Sequence, residues 1–79
     1  MPILAFVMIN VKVGTDRDTV VQLKNVKGVK EVDEVYAVYD IVAIVEAKNM
    51  AELNDIVNIE IRKIDSVTST STLLADKYA

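Results

Sequence analysis

One carboxylate and one run of hydroxyls hold most of the chemistry open to this chain. Asp40 closes the stretch Ala37-Val38-Tyr39-Asp40, and Thr68, Ser69, Thr70, Ser71 and Thr72 follow one another without interruption. Neither feature is a catalytic motif. A lone Asp at a turn usually accepts backbone N–H groups and pins the turn; its functional alternative is to receive an ammonium group. A strand normally alternates polar and apolar residues, whereas this run is polar on both faces before Leu73 and Leu74 resume. Thr is a good strand former, so a protected polar edge strand accounts for the run, and so does a pocket wall donating hydroxyls to a carboxylate. Together the two features offer what a free α-amino acid needs: an anion for the ammonium, hydroxyls and backbone N–H groups for the carboxylate, and apolar walls for a side chain.

Other chemistry is excluded by what the chain lacks. Cysteine and histidine are both absent. That removes disulfides, thiolate nucleophiles, the commonest general base and the commonest zinc and haem ligands. Glu31, Asp33, Glu34 and Glu60 show no metal-ligand spacing and read as solvated surface, so neither metal nor cofactor is expected. A net charge of −3 leaves no basic excess to displace counterions from a phosphate backbone, so direct nucleic-acid binding is not expected. No apolar run approaches the roughly 20 residues that span a bilayer. The N-terminus has neither the basic flank nor the cleavage site of a signal peptide, and a cytoplasmic location is expected.

The elements that must position these groups are legible from periodicity. Ile3 to Val13 is apolar on both faces of a strand, with Ile3, Ala5, Val7, Ile9, Val11 and Val13 opposing Leu4, Phe6 and Met8. Tyr39 to Ala47 repeats the pattern, with Tyr39, Ile41, Ala43, Val45 and Ala47 opposing Val42 and Ile44. Between them, Thr15 reads as an N-cap for a helix from Asp16 to Lys27, with Val20, Leu23 and Val26 inward and Gly28 at its left-handed end. A half-polar strand runs from Val29 to Val38, and a short turn near Ala37 to Asp40 follows. Asn49 and Glu52 start a second helix carrying Met50, Leu53, Val57, Ile61 and Ile64, with Ile56 and Ile59 beside or off that stripe. Val67 to Ala75 forms the last strand. The order βαββαβ is an α+β, ferredoxin-like fold: a four-stranded antiparallel sheet with two helices on one face. Residues 1–79 make a single domain, and the uncovered apolar face of its sheet must meet something outside the chain, which predicts an obligate oligomer.

Gly28-Val29, then Ala37-Val38-Tyr39-Asp40, then Ile61-x-x-Ile64-x-x-Val67-x-x-Thr70-x-Thr72 resembles the effector-binding C-terminal (RAM) domain of the Lrp/AsnC family of transcriptional regulators. In that family the second strand tends to end in Gly-x-Tyr/Phe-Asp and the last to carry Val-x-x-Thr-x-Thr. The resemblance implies a stand-alone RAM domain without the helix-turn-helix DNA-binding domain, dimerising in the dimeric α/β-barrel manner. It further implies assembly of dimers into rings such as octamers or decamers, and free amino-acid effectors bound between dimers. By position it nominates Ala37, Val38, Tyr39, Asp40, Thr70 and Thr72 as ligand-binding, with Ser69 and Ser71 as weaker candidates. Ala37 stands where the family has glycine, and its methyl bears on effector affinity or turn geometry.

The leading expectation is a non-enzymatic amino-acid-sensing and oligomerisation module that modulates transcription indirectly through full-length Lrp/AsnC regulators. A purely structural assembly module is the first alternative. A small dimeric α/β-barrel enzyme is the second, disfavoured because no base lies beside any hydroxyl to activate it.

Overall fold

A computed structural model describes residues 2–75 of the chain. Strand β1 (Ile3–Val11) leads to helix α1 (Asp16–Lys24), then to strands β2 (Val29–Glu34) and β3 (Ile41–Ala47). Helix α2 (Met50–Asp55) runs directly into a π-helical segment (Ile56–Ile61), and strand β4 (Val67–Leu74) ends the order. The antiparallel sheet is arranged β2-β3-β1-β4, so the two doubly apolar strands are central and the polar strands form the edges. This is the ferredoxin-like arrangement that the periodicity predicts.

The two faces of the sheet differ as alternation requires. Ala5, Val7, Ile9 and Val11 of β1 and Ile41, Ala43, Val45 and Ala47 of β3 are buried with Leu23, Leu53, Ile56, Val57, Ile61 and Ile64 in one core. Leu4, Phe6, Met8, Val42 and Ile44 point to the opposite face, where nothing among the described residues covers them, and are only half-buried. No helix among the described residues is long and apolar enough to cross a membrane.

Several boundaries differ from the sequence reading. β1 ends at Val11 and not Val13, whose side chain is fully exposed, because the Lys12–Thr15 turn begins there. Helix α1 stops at Lys24, not Lys27, since the Asn25 and Val26 amides donate to Gln22 and Leu23 in tight i→i+3 turns. Thr15 makes no side-chain cap; its hydroxyl donates to Lys12 O at 2.6 Å. Thr19 is instead fully buried, donating to Thr15 O at 2.8 Å and bonded to the Ser66 hydroxyl. Gly28 does take a left-handed φ of +95°.

The second helix begins as its sequence indicates. Glu52 N donates to Asn49 Oδ1 at 2.9 Å, and the Glu52 carboxylate accepts from Lys48 N at 2.8 Å. Its second half widens, with Arg62 N donating to Val57 O, five residues back. In an α-helix, residues five apart diverge by about 140°; the wider coil lets Ile56, Val57 and Ile61 all reach the core while Ile59 stays exposed.

Candidate functional site

Ile9 is the centre of the candidate site. On one side it pairs with Ile41, the residue after Asp40, and on the other with Thr70. Asp40 and Thr70 therefore flank the same stretch of β1, roughly 10 Å apart at two strand spacings.

Asp40 is bound on three sides. Its N–H donates to Ile9 O at 3.0 Å, its carbonyl accepts from Val35 N at 2.9 Å, and its carboxylate Oδ2 accepts from Val11 N at 2.9 Å. One residue thus ties both ends of the Val35–Asp40 loop to the end of β1, where the pairing with β4 slips between Asn10 and Val11. Val11 N faces the β3 side, where the ladder with β3 has ended at the Ile9–Ile41 pair, and the carboxylate satisfies it. Between these anchors the loop presents Tyr36 and Val38 almost wholly to solvent, Ala37 is exposed, and Tyr39 is half-buried. No described residue other than glycine has a positive φ, so the turn is made with Ala37 in ordinary backbone and the family's glycine is not required for its geometry. Strand β2 ends at Glu34, not Val38, and β3 begins at Ile41, not Tyr39, because this loop takes up the residues between.

The hydroxyl run divides between the two faces. Thr70 and Thr72 pair with Ile9 and Val7 and lie on the helix side, whereas Ser69 and Ser71 pair with Asn10 and Met8 and lie on the open side. A single concave site within one protomer cannot be lined by all four.

Sequence reasoning missed Asn10, the single polar residue of β1. Its amide Nδ2 donates to Ser69 Oγ at 3.3 Å, and its carbonyl accepts from Thr68 Oγ1 at 3.1 Å. A polar side chain in an otherwise apolar strand was the available signal.

The open face is apolar at its centre and polar at its margins. On the β2 edge, Glu31 and Asp33 stand beside Ile44 and Val42. A hydrogen bond with Asp33, then repulsion from its charge, then slight desolvation, raises the Glu31 carboxyl above its ordinary pKa. Among the described residues no group of three or more Asp or Glu side chains could hold a metal ion.

Residues 4–77 match the family described as the Lrp/AsnC ligand binding domain. The chain belongs to the Lrp/AsnC ligand-binding domain family. Among solved structures, TTHA0845 from Thermus thermophilus matches this Lrp/AsnC domain with a TM-score of 0.90 and 35% identity, over 95% of this chain and 94% of that one. FFRP-DM1 matches with a TM-score of 0.88 and 30% identity, over 92% and 97%. The transcriptional regulator NMB0573 of Neisseria meningitidis, solved in complex with L-Met, matches with a TM-score of 0.86. At 12% identity that likeness shows the fold alone, and it covers 95% of this chain but 50% of the regulator. A comparison with curated proteins finds no match.

Proposed function

We propose that this Lrp/AsnC domain is a non-enzymatic module that senses a free amino acid and self-associates, acting on transcription indirectly through full-length Lrp/AsnC regulators in the cytoplasm. The observation that carries this reading is the placement of Asp40 and Thr70 on either side of Ile9. There a carboxylate, loop backbone and hydroxyls surround one strand end, with the exposed Tyr36 and Val38 beside them. The half-buried face formed by Leu4, Phe6, Met8, Val42 and Ile44 supplies the self-association surface, with a second copy of the sheet as its cover. Because Thr70 and Ser69 point to opposite faces, a complete pocket draws walls from a neighbouring protomer. Ring assembly of dimers, as octamers or decamers, would provide that neighbour. Ala37, Val38, Tyr39, Asp40, Thr70 and Thr72 are the ligand contacts of this reading, with Ser69 and Ser71 secondary. The L-Met complex of the Neisseria regulator makes amino acids the first class to test.

The committed Oδ2 of Asp40 favours a second reading, assembly without a ligand. Calorimetric titration with the standard amino acids, alongside mass measurement in solution with and without each, separates the two. Saturable heat from at least one amino acid supports sensing. An intact oligomer that binds none of them would leave assembly as the whole function.

A further inference from the structure

The open face of the sheet carries different chemistry at its two margins. Strand pairing sets Asp33, Val42, Met8 and Ser71 in one row across that face, and Glu31 and Leu73 end the next row. At the β2 margin three carboxylates, Glu31, Asp33 and Glu46, stand with one ammonium, Lys30, whose Nζ lies 3.8 Å from Glu46. That margin is net negative. At the β4 margin Ser69 and Ser71 carry no charge, and Ser69 Oγ accepts from Asn10 Nδ2 at 3.3 Å, which leaves the Ser69 O–H to donate elsewhere. Three strand spacings, roughly 14 Å, separate the two margins.

Two identical sheets packed face to face in the aligned manner are related by a two-fold axis lying between them. Whether that axis runs across the strands or along them, the apolar centre is covered, so the margins decide. An axis across the strands lays β2 over β2 of the second copy and brings both acidic margins together. Glu31 already senses its neighbour: a hydrogen bond with Asp33, then the charge of Asp33, raises its carboxyl above the ordinary pKa. A second such pair adds like charge to a margin that is crowded with it. An axis along the strands instead lays β2 over β4 of the second copy and keeps the rows in register. Asp33 then comes over Ser71, with the Ser69 hydroxyl one row away, and the acidic margins lie on opposite sides of the contact.

We infer that a second copy of this chain packs on the open face with the two-fold axis along the central strands, so that the Asp33 carboxylate of each copy is received by the Ser71 hydroxyl of the other. The inference rests on the self-association reading above and adds its orientation and its polar contact. It gives Ser71 a role between copies, while Thr70 and Thr72 remain on the helix side.

The chain has no cysteine, so single introduced cysteines report the arrangement. Asp33→Cys and Ser71→Cys chains, separately and mixed, are treated with a short bis-maleimide suited to the roughly 10 Å between packed sheets, and sedimentation measures association. Cross-linked dimer in the mixture, and not in either variant alone, is the expected result. Ser71→Lys sets an ammonium over Asp33 and should tighten association about fivefold, the worth of two rim ion pairs; adding Asp33→Asn should cancel that gain. An oligomer that cross-links through Asp33→Cys alone, or gives no cross-link in the mixture, overturns the inference and leaves self-association standing. So does an oligomer that Ser71→Lys fails to tighten. A chain that stays monomeric overturns the inference together with the self-association reading beneath it.

Discussion

Replacing Asp40 tests both its structural and its ligand role, because the two respond differently to charge. Asp40→Ala removes the carboxylate that accepts Val11 N–H at 2.9 Å. A hydrogen bond to a charged group contributes about 1.5–3 kcal/mol net, and the partly exposed position of Asp40 puts the loss near the lower figure, about 1.5 kcal/mol. For a domain of this size, that lowers Tm by about 6–12 °C. Asp40→Asn keeps an acceptor oxygen and should recover about a third or more of the loss, since a neutral bond is still worth about 0.5–1.5 kcal/mol. Melting followed by circular dichroism, at one fixed protomer concentration so that association does not move Tm, gives the comparison. Titration with the amino acid that binds wild type completes it. If the carboxylate receives an ammonium group, Asp40→Asn stays folded yet loses affinity about tenfold or more, the worth of a charge-assisted contact. A Tm for Asp40→Ala within about 2 °C of wild type would refute the pinning argument. Undiminished affinity in Asp40→Asn would remove Asp40 from the ligand contacts.

Both glycines have positive φ, but only Gly28 is crowded, so Gly14→Ala should cost about 1 kcal/mol and Gly28→Ala about 2–4 kcal/mol; equal losses in denaturant melts would discount the crowding. Thr19→Val leaves the Ser66 hydroxyl without its buried partner and should cost about 1–2 kcal/mol in the same melts. Phe6→Asp, on the open face, should shift sedimentation toward the monomer while leaving the monomer's far-ultraviolet dichroism intact. The raised Glu31 carboxyl binds its proton more tightly in the folded chain. Its contribution to stability is therefore full below the ordinary Glu pKa and is lost as pH rises through the folded value. Carboxyl NMR titration should show Asp33→Asn returning Glu31 toward its ordinary pKa.

Alternation made the sheet legible, and the interior of each element followed from it. Ala5 to Val11 and Ile41 to Ala47 fall on the faces that the period of two assigns. What the sequence hid were places where one backbone bond outweighs a pattern. Val13 continues the alternation but lies past the turn that Thr15 N closes on Lys12 O. Val35 to Tyr39 look like strand, yet Asp40 draws Val35 back and makes a loop of them. The helical stripe foresaw Leu53, Val57 and Ile61, but the change to π-helical winding that exposes Ile59 depends on tertiary packing and leaves no periodic mark. At the candidate site, the Asp40 turn and the β4 hydroxyls were visible as residue types. Their placement around Ile9 needed the pairing registers, and the division of Thr70 from Ser69 needed the identity of the β1 residue opposite each.

In β1 and β3 the side chains that build the core and those that face outward interleave residue by residue. A library of substitutions along Leu4 to Ile9 should therefore fall into two interlocking combs. Odd-numbered teeth would govern whether a chain survives synthesis at all, and even-numbered teeth would govern only the company it keeps. Selection could retune one comb while leaving the other untouched, so new assemblies could be explored without putting the fold of each protomer at risk.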